Sequence, residues 1–239
     1  MENKVVLIVG GSGGIGSACG KLFGKAGAKV ILAGRNKSNA EAVAKQINDN
    51  GGDAYAIEVD ATDPSSVQNM ADEIESSLGK IDVLVNAFGK GLITPIADID
   101  PEVARSVIDT NVFGTFLVTQ IVMKHMNEDS AGHVVMFPGT MGKYTMKNSS
   151  VYAASKFAIQ GFTKALTEEL KRDKVNFSLL YLGGVDTPFW DDENVNMRVK
   201  KEMMLSTEEV AKAVYYAVNQ PSGSVMNEVV IQPESHQLV

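Results

Sequence analysis

Hydrophobic and polar positions along this chain alternate between short apolar runs and longer amphipathic segments. The apolar runs are rich in valine, isoleucine and leucine and have the length of buried strands, and they are predicted at 5–9, 29–33, 54–59, 81–85, 133–137, 175–182 and 227–232. The amphipathic segments predict helices at 17–26, 39–48, 64–78, 101–126, 151–172 and from 206 onward. Strands that alternate with helices of this length are typical of an α/β fold, here a single doubly wound Rossmann parallel sheet with helices on both faces.

Two segments depart from this regular pattern. Asn111 and Gly114 fall inside the predicted helix at 101–126, where both residue types are locally unfavourable, so the sequence predicts a distortion there. Segment 190–205 is polar, carries methionines and lacks periodicity, which predicts a loop or short helices. No internal repeat or linker interrupts the pattern, so residues 1–239 are expected to form one domain.

Composition argues against several kinds of partner, binding site and cellular location. The chain has 239 residues, 44% of them hydrophobic, and a net charge of −7, which argues against nucleic acid and anionic membranes as partners. A single cysteine and three scattered histidines give no metal-ligand spacing, so no metal site is expected. The N-terminal apolar run is too short for a signal sequence and no run of eighteen apolar residues occurs, so we expect a cytoplasmic protein.

A glycine-rich loop directly follows the first predicted strand and precedes a helix. Glycines in this context allow a tight turn and a close approach to a dinucleotide pyrophosphate, whose charge lies at the N-terminus of the helix. The loop fits two spacings, G-x-G-x-x-G and the wider G-x-x-x-G-x-G, and the sequence does not choose between them. The first uses Gly11, Gly13 and Gly16, and the second uses Gly10, Gly14 and Gly16.

Basic residues follow the second predicted strand. In dinucleotide-binding folds an acid at this place selects the free ribose 2′-hydroxyl, whereas an arginine suits a 2′-phosphate. Here no acid is present and the segment reads Gly34-Arg35-Asn36-Lys37. The alternative is that Arg35 and Lys37 are solvated turn residues, but in an acidic protein the basic pair favours NADP(H) over NAD(H).

Tyr152 and Lys156 lie four residues apart in the predicted helix 151–172. Residues i and i+4 share one face of a helix, so the phenol and the ammonium can meet at one place. A phenol titrates near ~10, and a cation beside it favours the phenolate, which would make the tyrosine a usable acid–base group. Taken alone, the same spacing is common on ordinary helix surfaces.

Taken together in order along the chain, these motifs resemble the short-chain dehydrogenase/reductase superfamily in its compact form. Gly10, Gly14, Ile15 and Gly16 match the family's T-G-x-x-x-G-I-G loop, with Val9 in place of threonine. The other matches are Asp60 at the adenine-contacting acid, Asn86 and Gly89 at the ends of N-N-A-G, Asn111 of the catalytic tetrad, Tyr152 and Lys156 of Y-x-x-x-K, and Val185 and Thr187 of the segment that holds the nicotinamide carboxamide. The middle of N-N-A-G departs at Ala87 and Phe88, and Leu182 stands where proline is common.

The resemblance implies a set of cofactor and catalytic residues. The residues implied in cofactor binding are Gly10, Ser12, Gly13, Gly14, Ile15, Gly16, Arg35, Asn36, Asp60, Ala61, Asn86, Ala87, Gly89, Asn111, Tyr152, Lys156, Val185 and Thr187. Judged from the sequence, Asp60 is equally compatible with a loop acid and with an adenine partner. The implied catalytic residues are Asn111, Tyr152 and Lys156, with Tyr152 passing the proton, Lys156 lowering its pKa and Asn111 holding a water of the proton relay.

One departure concerns the fourth member of the tetrad. The family's catalytic serine lies thirteen residues before the tyrosine, and that position is Gly139. Thr140 follows directly, and Ser149 and Ser150 precede Tyr152, so a hydroxyl could come from another place. The missing donor would have stabilised charge on the substrate oxygen, an effect of roughly 10²–10³ in rate.

Three functions fit these residues. The first is an NADP(H)-dependent oxidoreductase that interconverts a carbonyl and an alcohol. The second, favoured by Gly139, is a catalytically weak cofactor-binding protein that acts as a sensor or assembly subunit, and the third is a lyase or isomerase. Apolar side chains in 88–98, 140–150 and 188–205 suggest an apolar substrate beneath a loop near 188–205, and the long helices suggest a homotetramer or homodimer.

Overall fold

The computed structural model describes residues 1–126, 132–170, 172–235 and 237. Its sheet contains strands β1 to β7, at Val5–Val9, Lys29–Gly34, Asp53–Glu58, Val83–Asn86, Gly132–Met136, Val175–Leu182 and Glu228–Ile231. All neighbouring strands are parallel and lie in the order β3-β2-β1-β4-β5-β6-β7. The predicted doubly wound fold is therefore confirmed.

Helices α1 to α7 connect the strands, at Gly14–Lys25, Lys37–Asp49, Pro64–Leu78, Pro101–Ile108, Thr115–Met123, Ser150–Glu169 and Thr207–Val218. Capping groups fix several of their ends: the Asp63 side chain accepts from the Ser65 N–H before α3, and Ser206 and Glu209 form a capping box before α7. The observed ends of the strands and helices differ from the predicted ones by a few residues.

Alternation along each strand divides the core into two layers. In β1, Val5, Leu7 and Val9 pack with α3, α5 and α6 on one face of the sheet. Val6 and Ile8 point the other way and pack with α1, α2 and α7. Because both faces of the sheet are covered at its centre, strands such as β1 and β4 are buried along their whole length, as expected for a parallel sheet. The edge strands β3 and β7 also have exposed residues.

The predicted helix at 101–126 contains the expected distortion. A π-helical turn at Asp109–Gly114 separates α4 from α5, and it holds Asn111 at its centre. Such a turn inserts one residue into the helical ladder and is frequent at functional sites. The combined helix Pro101–Met123 is long and apolar enough to span a membrane, but half of its most apolar stretch is buried inside the fold, as in a core helix.

Segment 188–205 folds over the C-terminal ends of the strands and is fastened at two places; we call it the substrate loop, after the role that the sequence leads us to expect of it. Its middle pairs with the segment after β4, where the Ile93 N–H donates to the Asn194 carbonyl (2.8 Å) and the Asn196 N–H donates to the Ile93 carbonyl (3.1 Å). Its end pairs with the segment after β6, where the Leu205 N–H donates to the Gly184 carbonyl (2.9 Å). Short 3₁₀ turns at Pro188–Asp191 and Lys201–Met203 complete it.

Candidate active site

A cavity of about 1230 Å³ lies at the C-terminal edge of the sheet. It spans the place where the strand order reverses between β1 and β4, which is where ligands bind in open parallel sheets. Its walls come from the glycine loop, the ends of β4, β5 and β6, the N-terminal half of α6 and the substrate loop. One cavity therefore contains both the predicted cofactor loop and the predicted tyrosine.

Close packing explains why glycine is needed in the loop after β1. A Cβ on Gly14 would lie 2.7 Å from Cγ2 of Thr187, and a Cβ on Gly16 would overlap the Gly10 carbonyl oxygen. Gly13 is less constrained, since a Cβ there would lie 3.3 Å from that oxygen. Gly10, at φ 87°, and Gly11 are also tightly packed, since a Cβ on either would lie within 2.7 Å of the backbone of Ala87 or Leu32. Packing therefore requires all three glycines of the wider spacing, whereas the narrower spacing includes the less constrained Gly13.

The N-terminus of α1 points into the cavity. Its N-cap is Gly13, which provides no side-chain cap, and the first turn carries no acidic residue. Ser12, Gly13, Gly14 and Ile15 line the cavity. Backbone N–H groups left without a side-chain cap, at the positive end of the helix dipole, form a site suited to a phosphate group.

The end of β2 carries a positive charge. Arg35 is exposed and lines the cavity, whereas the Asn36 side chain caps α2 by accepting from the Asn39 N–H (3.1 Å). Asp60 stabilises the turn before α3, because its Oδ1 accepts from the Thr62 N–H (2.9 Å) and hydroxyl (2.7 Å). These bonds lower the Asp60 pKa, and the charges of Arg35 and Lys90 lower it further.

Helix α6 presents Tyr152 and Lys156 to the cavity from consecutive turns. The Lys156 ammonium lies 5.5 Å from the centroid of the Tyr152 ring and donates to the Phe137 carbonyl (2.9 Å). Lys156 is buried, and loss of solvation lowers its pKa to about 8. The two side chains meet as the i, i+4 spacing predicted.

Aromatic side chains of the substrate loop cover part of Tyr152, which is half-buried. The Phe189 and Tyr152 ring centroids are 5.6 Å apart, and Trp190 packs edge-on against Phe189 at 5.1 Å. The Trp190 indole N–H donates to the Val185 carbonyl (2.8 Å), which fixes the ring. In the protein alone, burial dominates and raises the Tyr152 pKa, the reverse of the effect expected from Lys156.

Asn111 is buried and does not line the cavity itself. Its carboxamide binds both backbone groups of Lys90: Oδ1 accepts from the N–H (2.7 Å) and Nδ2 donates to the carbonyl (2.9 Å). Nδ2 also donates to Ser155 Oγ (3.0 Å), whose hydroxyl donates to the Tyr152 carbonyl (2.7 Å). The three hydrogen bonds of the Asn111 carboxamide thus link the π-helical turn to the segment after β4 and to α6, so this side chain positions both elements.

Lys90 and Ser155 were missed by the sequence reasoning. Lys90 directly follows Gly89 and lines the cavity, and Ser155 directly precedes Lys156. Their positions beside recognised motifs were the available signals, but only the three-dimensional contact to Asn111 shows what they do.

The position of the expected serine has an unusual backbone. Gly139 has φ 62° and ψ 177°, a region that residues with a side chain rarely adopt. The neighbouring Thr140 is buried, lines the cavity, and in the described part of the chain its hydroxyl has no hydrogen-bond partner. Ser149 instead donates to the Met146 carbonyl (2.7 Å), and Ser150 is exposed outside the cavity.

The predicted site residues divide into two groups. Those that line the cavity are Ser12, Gly13, Gly14, Ile15, Arg35, Ala87, Gly89, Gly139, Thr140, Tyr152, Lys156, Val185 and Thr187. Those that lie behind or beside its wall are Gly10, Gly16, Asn36, Asp60, Ala61, Asn86 and Asn111. Asn86 is buried next to Thr119 and Met136, and among the described residues its Oδ1 has no hydrogen-bond partner.

Comparison with known proteins places the chain among relatives along its whole length. The family model described as short chain dehydrogenase matches residues 4–198. An uncharacterized oxidoreductase of Staphylococcus epidermidis is 34% identical over 233 residues, with 98% of each chain covered. A short chain dehydrogenase of Burkholderia cenocepacia, solved in complex with NADP, is 26% identical with a TM-score of 0.85 and 96% of each chain covered.

A more distant solved structure shares the fold. The alcohol dehydrogenase of the archaeon Thermococcus sibiricus, complexed with 5-hydroxy-NADP, superposes with a TM-score of 0.90 over 99% of each chain at 20% identity.

Proposed function

This chain belongs to the short-chain dehydrogenase family, and from that premise we propose that it interconverts a carbonyl and an alcohol by hydride transfer with NADP(H). The oxidoreductase class follows from the family. The observation that carries the finer proposal is the cavity in which the α1 N-terminus, Tyr152 and Lys156 face the same space.

The residues present fit a dinucleotide. Ser12 to Ile15 and the uncapped N-terminus of α1 would hold the pyrophosphate, and Gly14 leaves room that a Cβ would fill. Arg35 would bind a ribose 2′-phosphate, and Lys90 would add to the positive potential there. Relatives solved with NADP, such as the Burkholderia cenocepacia protein, support this choice. When bound, the nicotinamide supplies or accepts the hydride.

The residues of this chain then transfer the proton. The Tyr152 hydroxyl donates a proton to the carbonyl oxygen in the direction of reduction and accepts it in the direction of oxidation. Lys156, held in place by the Phe137 carbonyl, stabilises the phenolate left behind and is positioned to bind the nicotinamide ribose. Phe189 and Trp190 exclude water, which strengthens this electrostatic interaction.

Thr140 would replace the missing serine as a donor to the substrate oxygen. Its hydroxyl is the hydroxyl group nearest in sequence to Gly139, lies in the cavity wall and is not used by another described residue. The Ser149 hydroxyl is excluded as the donor to the substrate oxygen because it is hydrogen-bonded to the Met146 backbone.

A second function is favoured by a single observation. The left-handed backbone at Gly139 differs from an ordinary serine-bearing loop, which favours a catalytically weak, cofactor-binding protein. Intact Asn111, Tyr152 and Lys156 favour the enzyme. We further infer that the chain forms one domain with the substrate loop at 188–205, acts in the cytoplasm on a small carbonyl or alcohol and assembles as a homodimer or homotetramer.

Steady-state kinetics on four proteins test the proposal. The parent should oxidise NADPH with members of a panel of aromatic and aliphatic aldehydes and ketones. Tyr152→Phe should lower kcat by several orders of magnitude while NADPH binding persists. Thr140→Val should lower kcat by roughly 10²-fold, and Thr140→Ser, which keeps the hydroxyl, should stay near the parent.

The outcomes separate the functions. Loss of turnover in Tyr152→Phe with retained NADPH binding supports the reductase. If no carbonyl in the panel is reduced although NADPH binds, the results support the cofactor-binding protein instead of the reductase. If Thr140→Val and the parent share one kcat, Thr140 is not the donor.

A further inference from the structure

The charge of the cavity wall is opposite to that of the protein. The chain carries a net charge of −7. The described residues that line the cavity include five cationic side chains and a single acidic one: Arg35, Lys90, Lys156, Arg198 and Lys200 against Asp192. A concave site lined by one sign of charge concentrates ligands of the opposite sign.

Two of these cations belong to the substrate loop, and no carboxylate of the described residues neutralises them. Arg198 and Lys200 are exposed, and neither has a carboxylate at ion-pair distance in the parts of the chain that the structure describes. The next cation along, Lys201, is paired with Asp191 at 2.7 Å. Asp192 is engaged within its own turn, since its Oδ1 accepts from the N–H (2.8 Å) and side-chain amide (3.0 Å) of Asn194.

The position of Arg198 and Lys200 is set by the two attachments of the loop. They lie between the pairing of Asn196 with Ile93 and the pairing of Leu205 with Gly184. A segment fastened at both ends presents its side chains to the cavity at lower entropic cost than a free loop. Both residues line the cavity rather than only the outer surface.

The ribose 2′-phosphate proposed at Arg35 does not explain these two cations. Arg35 follows β2, whereas the substrate loop follows β6, and the sheet order places β1, β4 and β5 between those strands. Strands lie about 4.8 Å apart, so the two strand ends are separated by about 19 Å. A 2′-phosphate bound at Arg35 therefore leaves Arg198 and Lys200 for another anion.

The rest of this part of the cavity is apolar. Phe189, Trp190, Met146, Met197 and Met203 line it, and Phe189 contacts the Tyr152 ring. Methionine and aromatic side chains adapt to the shape of a hydrophobic ligand.

We propose that this enzyme acts on carbonyl compounds with an apolar body and a negatively charged group, a carboxylate or a phosphate, which Arg198 and Lys200 bind. The proposal rests on the proposed function for the reaction itself, and it extends the expectation of an apolar substrate. Arg198 and Lys200 are specificity residues that bind the substrate away from the reacting carbonyl.

A binding measurement tests the preference without turnover. Trp190 is the single tryptophan of the chain and lines the cavity, so its fluorescence reports occupancy there. The ligands are 4-formylbenzoate, its neutral methyl ester, and 4-formylphenyl phosphate. We expect Kd for an anionic ligand to be roughly tenfold below that of the ester at low salt, and the difference to shrink as ionic strength rises.

The double variant Arg198→Gln/Lys200→Gln should bring the anionic ligands and the ester to similar Kd values. Lys147→Gln is the control, because Lys147 is an exposed lysine beside Met146 that does not line the cavity, and it should retain the parent's preference. In kinetics with NADPH, the double variant should raise KM for the anionic aldehydes and leave kcat nearly unchanged, as for a contact equal in ground and transition states.

The results distinguish the two proposals. Equal binding of acid, phosphate and ester by the parent overturns the inference, and so does a double variant that weakens all three ligands alike. Reduction of all three aldehydes without preference keeps the proposed function and removes the anion site. Preferred binding of an anionic ligand without any reduction keeps the anion site and removes the proposed function.

Discussion

The carboxamide of Asn111 binds both backbone groups of Lys90, accepting from its N–H at 2.7 Å and donating to its carbonyl at 2.9 Å. A single buried side chain thereby fixes the segment that follows β4. Because Asn111 also donates to Ser155, and Ser155 to the Tyr152 carbonyl, the same side chain links a cavity wall to the tyrosine helix. The π-helical turn at Asp109–Gly114 is the local distortion that contains this side chain.

Replacing Asn111 should therefore destabilise the fold as well as the site. Asn111→Leu removes three hydrogen bonds, two to Lys90 and one to Ser155, and each hydrogen bond contributes about 0.5–1.5 kcal/mol. We expect the free energy of unfolding in urea to fall by roughly 2–4 kcal/mol. Asn69→Leu, on the exposed face of α3, is the control and should change it by less than about 0.5 kcal/mol. Equal stability of Asn111→Leu and the parent would contradict the positioning role.

Gly139 should resist any side chain. Its φ of 62° with ψ of 177° lies in a region nearly restricted to glycine, although the nearest atom to an added Cβ would be 3.6 Å away. Gly139→Ala should thus lose about 1–3 kcal/mol of unfolding free energy through backbone strain rather than a clash. Gly161→Ala is the matched control: Gly161 lies within α6 with open space around it, and alanine there should stabilise by roughly 0.5–1 kcal/mol.

The same backbone geometry determines what the substitution Gly139→Ser would do. A serine at position 139 would have to move the backbone before its hydroxyl could point at a substrate. Gly139→Ser should then show the stability loss of Gly139→Ala without the rate gain of an added donor. A higher kcat in Gly139→Ser with unchanged stability would contradict this view.

We expect the choice of cofactor to depend on Arg35, which follows β2 with no acid beside it in sequence. We expect NADPH to bind at least roughly tenfold more tightly than NADH, about 1.4 kcal/mol. Arg35→Asp should abolish or invert the preference, because a carboxylate repels a 2′-phosphate and accepts from a 2′-hydroxyl. Arg105→Asp makes the same change outside the cavity and should keep the parent's ratio. Equal affinity of the parent for both cofactors, measured by fluorescence titration, would refute the assignment.

Local sequence signals were sufficient to predict much of the fold. The seven apolar runs predicted the seven strands because a sheet covered on both faces requires apolar residues at successive positions. Asn111 was recognisable as a distortion because asparagine is a poor residue inside a helix.

The features that could not be predicted depend on contacts between distant parts of the chain. Phe189 and Tyr152 meet only because the substrate loop folds back over α6. The left-handed backbone of Gly139 leaves no mark in composition or spacing, since glycine also occupies ordinary loops. The burial that raises the Tyr152 pKa follows from these contacts, so the i, i+4 spacing predicted only the attraction to Lys156 and not the opposing effect of burial.

Burial of Lys156 predicts a pH dependence of stability. Its pKa is about 8 in the folded protein and near 10.5 in the unfolded chain, so between these values the unfolded state binds more protons. Stability must therefore rise with pH across that interval. Above about pH 10 the raised Tyr152 pKa acts in the opposite direction, because the folded state then retains a proton that the unfolded state has lost.

The difference between parent and Lys156→Met isolates this effect. From about pH 8 to 9.5 the parent should gain roughly 1–2 kcal/mol of unfolding free energy relative to Lys156→Met, measured with urea at several pH values. Lys21→Met, which removes an exposed lysine from α1, should follow the parent. Parallel curves for the parent and Lys156→Met would show that Lys156 keeps an ordinary pKa in the folded state.

Assembly should use the exposed apolar face of the helices around the π-helical turn. Ile108, Phe113, Phe116 and Phe157 are each 37–45% exposed, and the Phe113 and Phe116 rings lie 6.1 Å apart. Covering such a patch with a second copy removes apolar surface from water, which contributes a free energy of about 25 cal/mol per Å².

Light scattering of the parent at micromolar concentration should give twice or four times 25.6 kDa. Phe113→Glu should reduce that mass, because it places a charge within the face. Tyr55→Glu, at 41% exposure on the edge strand β3, should not reduce it. A parent of 25.6 kDa, or equal masses for Phe113→Glu and the parent, would rule out this face as the interface.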